Sequence, residues 1–194
     1  MAKLAPAAGI TVTAQETLTN DMTDLAPLMD KLKSGGPDAI WVMPGSHTAA
    51  FFKAYEASGW KVPVTGRFDP GAALGAVSPG FRDAGGLANL TTVTVFTPLI
   101  AKPGVKAFVA SYEAHYGLVP TQRSFFVYEG TLLAADAIRR AHADTPAAVE
   151  KALKTTKMAS VLGGSYVLDD HNHPHTPLFI VGIRDEKPAL IATE

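Results

Sequence analysis

Residues 37–66, PDAIWVMPGSHTAAFFKAYEASGWKVPVTG, constrain the fold more than any other stretch. Ala39 to Met43 is an uninterrupted apolar run, short and rich in β-formers. Such a run predicts a strand buried on both faces of a parallel sheet. Pro44-Gly45 stops it. A helix is expected to begin near His47, with Ser46 or Thr48 available as its cap. Phe51, Phe52 and Tyr55 are spaced by three and four, so they share one buried helical face. Gly59 ends that helix, and Val62 to Thr65 starts the next strand. A βαβ unit this compact almost always crosses right-handed. It sends the loop Pro44 to Thr48 past the carboxyl end of a strand, where ligands sit in open α/β sheets.

The remaining chain must supply a body for that unit, and 194 residues suffice for one large domain or two small ones. Charged residues are 18% of the chain and the net charge is -1, so no nucleic acid or acidic membrane surface is indicated as partner. The absence of cysteine excludes disulfides, thiol catalysis and thiolate metal sites. No apolar run approaches a membrane span. MAKLAPAAGITV at the start has one lysine and no apolar h-region, so no signal peptide is expected in this chain. That reading leaves a cytosolic protein or a processed or truncated piece.

Along the chain, Met1 to Ala8 reads as a frayed helix end or a start scar, and Ile10 to Gln15 as a strand with one wetter face. Thr19 to Asp24 is a polar loop with helix-capping residues. Leu25, Leu28, Met29 and Leu32 then share a helical face, and Ser34-Gly35-Gly36-Pro37 ends it. After the βαβ unit, Asp69-Pro70 has the form of an N-cap with proline at the first helical position. Asn89 to Thr97 is a Thr/Val strand. Three helices without strands between them follow: Val105–Tyr116, Ser124–His142 and Ala147–Lys154. Gly163 to Leu168 and Leu178 to Ile183 are expected to pair around a polar turn, with Lys187 to Ile191 adding a short strand. The expected order is βαβαβαβ, three helices, then a hairpin. Three amphipathic helices need an apolar partner surface, and one hairpin is too small to be it.

Several segments together resemble a known family. Thr23-Asp24 precedes a helix whose lysine-rich end runs into PDAIWV. AYEASGWKVPVTG, FVASYEAHYGLVPT, YEGTLLAADAIRRA and VLGGSYVLDDHNHPHTPLFIVGI follow in that order. From about Gly9 onward the chain resembles the C-terminal half of type I periplasmic binding proteins, the Leu/Ile/Val-binding branch of solute receptors for ABC transporters. The resemblance implies an α/β fold: a parallel-sheet, Rossmann-like lobe plus helices of a second lobe, truncated. Residues 9–95 would form the second-lobe sheet, 99–157 the helices of the first lobe, and 160–194 the returning strands and hairpin. The helices would then cover a first-lobe sheet that this chain lacks, which implies a fragment able to oligomerise through exposed helix faces.

Candidate ligand-binding residues follow. In the loop Gly45, Ser46, His47 and Thr48, backbone N–H groups at a helix start and two hydroxyls suit a carboxylate; alternatively, Ser46 and Thr48 only cap the helix. The resemblance implies ligand contact by this loop. It also implies an acidic residue near Arg67-Phe68-Asp69 that holds a ligand ammonium; Asp69 fits that role or a plain N-cap equally, and Phe68 can pack on an apolar ligand part. Phe125 and Tyr128, near the start of the long helix, are pocket-lining by resemblance and core by periodicity. His171, His173 and His175 alternate with Asn172 and Pro174 beside Asp169 and Asp170, as in a metal tract. They lie in what the family makes a surface turn, so no metal and no cofactor is expected. No hydrolase, phosphate-loop or dinucleotide motif is present.

The expected function is an extracytoplasmic, periplasmic or extracellular solute-binding protein, not an enzyme. It would capture a small amino acid or related carboxylate for an ABC permease. The alternative is a ligand-sensing receptor domain of the same fold in a signalling protein. An enzyme would have to rest on His47 and Asp69.

Overall fold

The computed structural model describes residues 4–19 and 21–193. Met1–Lys3 of the expected frayed helix end, Asn20 of the polar loop and Glu194 lie outside the described residues. The chain forms two compact units: Met1–Val93 with Ile180–Ile191, and Thr94–Phe179 with Ala192–Glu194.

In the first unit, Asp24 accepts a hydrogen bond from Ala26 N–H at 2.9 Å and starts helix α1 (Ala26–Ser34). Leu25 and Met29 anchor it in the core, and Lys31 and Lys33 complement the negative end of its dipole. Strand β1 (Ile40–Val42), helix α2 (Thr48–Ala57) and strand β2 (Val64–Gly66) form the expected βαβ unit. The strands are parallel, with Ile40 opposite Val64, Trp41 opposite Thr65 and Val42 opposite Gly66. Phe51, Phe52 and Tyr55 are all buried, the face that their spacing predicts. Their rings meet edge to face, Phe51 on Phe52 at 5.3 Å and Phe52 on Phe68 at 5.1 Å. Each buried aromatic side chain of this kind contributes roughly 1.5–3 kcal/mol.

Helices α3 (Pro70–Ala76) and α4 (Pro79–Asp83) follow β2, and a parallel bridge from Val64 to Leu90 leads into strand β3 (Thr91–Thr94). Beyond β3 the sheet continues with β6 (Phe179–Arg184) and β7 (Lys187–Thr193). The last two are joined by Asp185 and Glu186, both at positive φ (48° and 57°), the mirror-turn geometry that matches strand twist.

Three expectations are corrected here. Ile10 to Gln15 forms no strand; Ile10 is 52% exposed. A strand is held by its ladder, and among the described residues β1, the edge of its sheet, pairs with β2 alone. Strand β1 is buried on one face, not two: Ile40 and Val42 are inside and Trp41 is 48% exposed, because α1, α2 and α3 gather on the same side. Gly163–Leu168 does not pair with Leu178–Ile183. Its strand β5 (Ser165–Tyr166) pairs antiparallel with β4 (Met158–Ala159), while β6 takes β3 and β7 as neighbours.

The second unit is built on helices α5 (Pro103–Tyr116), α6 (Gln122–Ala141) and α7 (Pro146–Leu153). Thr121 and Ser124 form a reciprocal capping box at the start of α6. Phe96, Val105, Phe108, Phe125, Leu162 and Phe179 make its core, with Phe96 stacked flat on Phe125 at 4.8 Å. Glu129 is buried in α6, and its Oε1 accepts from Ser160 Oγ at 2.7 Å and Val161 N–H at 2.6 Å. The helix thus holds the β4–β5 turn. Phe126, Val127, Leu132 and Ile138 stay exposed on α6, as does Tyr116 at the end of α5.

Tyr55 gives the first unit a pH dependence. Its hydroxyl donates to Val62 O at 2.7 Å, and burial pushes its pKa up to about 12 from 10.0. The folded state therefore holds the phenolic proton more tightly than the unfolded one. The resulting stability is complete below pH 10 and lost as pH rises towards 12. We expect Tyr55→Phe to cost about 1 kcal/mol at neutral pH and to flatten the fall in stability across that alkaline window. Denaturant titrations at neutral and alkaline pH check this.

Candidate functional site

The carboxyl ends of β1 and β2 carry two loops, and their register decides what those loops present. Gly66 sits opposite Val42 at φ 147°, and a Cβ built on it would run into the Val42 carbonyl. Only glycine lets the two strand ends approach so closely. The next N–H, of Arg67, donates to Val42 O at 3.0 Å. Phe68 N–H donates to Thr92 Oγ1 at 3.0 Å, and that hydroxyl donates to Phe68 O at 2.8 Å. Thr92 is fully buried. Residues 66–68 are therefore pinned from both sides, to β1 and to β3, while the Arg67 side chain stays exposed.

The other loop is a single 3-10 turn, Gly45–His47, between β1 and α2. Gly45 adopts φ +56°, a left-handed conformation that glycine accepts without strain. His47 N–H donates to Pro44 O at 2.9 Å, and buried Thr48 donates its hydroxyl to Gly45 O at 3.0 Å. Neither Ser46 nor Thr48 caps α2: the N-cap position is His47, and no side chain accepts there. Thr48 is instead a brace inside the loop. Ser46 is exposed, with Oγ 3.5 Å from His47 Nδ1.

The other candidate residues divide. Asp69 is exposed and takes the N-cap of α3, accepting from Ala72 N–H at 2.9 Å. Phe68 is buried in the aromatic core against Phe52. Phe125 is buried in the core of the second unit, and Tyr128 is 45% exposed with its ring 4.8 Å from Phe108. Gly45, Ser46, His47 and Thr48 thus share one sheet edge with Phe68 and Asp69, while Phe125 and Tyr128 belong to the other unit. Thr92 escapes a motif search: nothing in the TTVT run sets it apart from Thr91 and Thr94, which are only half-buried.

At the histidine tract, Asp169 Oδ1 accepts from the backbone N–H groups of His171 (2.9 Å) and His173 (2.8 Å). The His173 N–H, then that of His171 and the nearby imidazoles, hold this carboxyl below the usual range against the opposing effect of desolvation. The acid thus shapes a turn closed by a Leu168–Pro174 bridge. Among the described residues no group of three His, Asp or Glu is placed to hold a metal ion.

The sequence profile of the periplasmic binding proteins matches residues 1–188. The chain belongs to the periplasmic binding protein family. No curated protein matches it. Solved relatives of the family share its fold. A solute-binding protein from R. palustris in complex with 4-hydroxybenzoate superposes with TM-score 0.80 at 24% identity, covering 100% of this chain and 55% of that one. A benzoate complex from R. palustris gives 0.77 at 19%, covering 97% and 51%. A leucine-binding protein from Thermotoga maritima gives 0.72 at 19%, covering 93% and 51%. These likenesses show the type I periplasmic binding protein fold. The chain spans about half the length of the solved proteins it matches.

The Gly66 contact is the most sensitive point of this edge. We expect Gly66→Ala to destabilise the protein by more than about 3 kcal/mol, because the added methyl must push apart two paired strands. Denaturant unfolding measures it, and a loss below about 1 kcal/mol would show the strand ends to be pliable.

Proposed function

We propose that this chain is part of an extracytoplasmic solute-binding protein of an ABC transporter, a carrier and not an enzyme. It captures a small amino acid or related carboxylate, for delivery to a permease. The observation that supports this most is the β1–β2 register, which sets the Gly45–Thr48 and Arg67–Asp69 loops side by side at the carboxyl ends of parallel strands. Open α/β sheets bind ligands at that edge. Gly45, Ser46 and His47 supply N–H, hydroxyl and imidazole groups there, with Thr48 bracing them. Phe68 acts as rigid backing for this edge, since its ring is buried against Phe52. Tyr128 is the open aromatic surface of the second unit, and Asp69 lies beside the first loop pair. Family membership and neighbours that hold leucine, benzoate or 4-hydroxybenzoate add support for small-carboxylate capture.

A thermal-shift panel of amino acids, their amides and aromatic acids checks the reading, because a ligand that binds only the native state raises its melting temperature. We expect carboxylates to raise it and the corresponding amides not to. A flat response to every carboxylate contradicts the proposal.

A further inference from the structure

We infer that Arg67 is the residue that anchors the ligand's carboxylate, and that the site prefers carboxylic acids carrying no α-ammonium group. The inference rests on the solute-capture reading above. Its first support is the way Arg67 is held. Its own N–H is tied to Val42 O, and the next residue is tied through both N–H and C=O to buried Thr92. A long cationic side chain thus springs from a fixed backbone beside the Gly45–His47 turn. Among the described residues no carboxylate pairs with its guanidinium, nor with those of Arg123, Arg139 and Arg184, and of these four Arg67 is the one that directly follows β2. An exposed guanidinium on a rigid loop presents two parallel N–H groups that match a carboxylate.

The second support is the charge balance of the two loops. Between Met43 and Thr48 there is no acidic residue, and between Arg67 and Asp69 there is only Asp69. That carboxylate is turned onto the amino end of α3, where Ala72 N–H binds its Oδ1 at 2.9 Å. Phe68, between the arginine and the acid, is buried against Phe52 and offers no polar atom. The edge therefore has donors for an anion in Arg67, Ser46 and His47, and its one carboxylate, Asp69, already directs Oδ1 to the α3 cap. An α-amino acid would bring a positive charge next to Arg67, a repulsion that a plain acid avoids. Neighbours solved with benzoate and 4-hydroxybenzoate fit that preference.

The test is isothermal titration of the 194-residue chain with benzoate, 4-hydroxybenzoate and leucine, repeated with Arg67→Gln and Arg67→Lys. The side chain is exposed and has no ion-pair partner among the described residues, so both variants should melt with the parent protein. We expect the two acids to bind about tenfold or more tightly than leucine. Arg67→Gln should weaken them by about tenfold or more, and Arg67→Lys by less, because lysine keeps the charge and loses the two-pronged geometry. Benzoate affinity within about twofold in Arg67→Gln, or leucine binding as tightly as the acids, overturns the inference while leaving solute capture intact. If none of the three binds, the inference fails, and solute capture fails with it only if the whole carboxylate panel is flat as well.

Discussion

The contact of Gly66 with the Val42 carbonyl is the constraint on which the proposed site depends. It brings the ends of β1 and β2 closer than any side chain would allow. Everything at that edge follows from this approach. The Arg67 N–H can reach Val42 only because residue 66 lacks a Cβ, and Thr92 then closes the loop from the β3 side. Behind the loop, Phe68 locks into the aromatic cluster of α2. The proposed binding edge is thus held by the same core that stabilises the unit. A ligand at the proposed site would need little reorganisation, which favours affinity.

Much of this architecture is legible in the sequence. The apolar run at Ala39–Met43, the Phe51-Phe52-Tyr55 spacing and the Asp69-Pro70 cap each specify a local structure, and each appears where its residues place it. Non-local pairing is not legible in the same way. Ile10–Gln15 alternates like a strand and remains irregular, because alternation supplies no ladder partner. The two apolar runs around the histidine turn look like a hairpin, yet the stronger one, Phe179–Arg184, pairs with β3 and β7. A run that is buried on one strand face gains more beside an apolar sheet than beside a short polar neighbour.

The site shows the same division. The strand-end position of residues 44–48 follows from the βαβ pattern alone. The alternatives left open there are chemical: a hydroxyl that caps or a hydroxyl that binds. Geometry separates them. Thr48 braces Gly45, Ser46 is free of any capping duty, and Asp69 is the true cap of the next helix. The role proposed for Arg67 emerges only from what surrounds it. A lone arginine after a strand is unremarkable in a sequence, and it becomes a candidate anchor once its backbone is seen pinned and its charge without an ion-pair partner among the described residues.

Backbone amide chemical shifts during a titration with benzoate test the placement of the ligand most directly. If the carboxylate sits at the ends of β1 and β2, the largest shift changes fall on the amides of Gly45 to Thr48 and of Arg67 to Asp69. The amides of the Asp169–His175 turn stay still. Saturable changes centred on that turn, with the strand-end loops unmoved, would contradict the account.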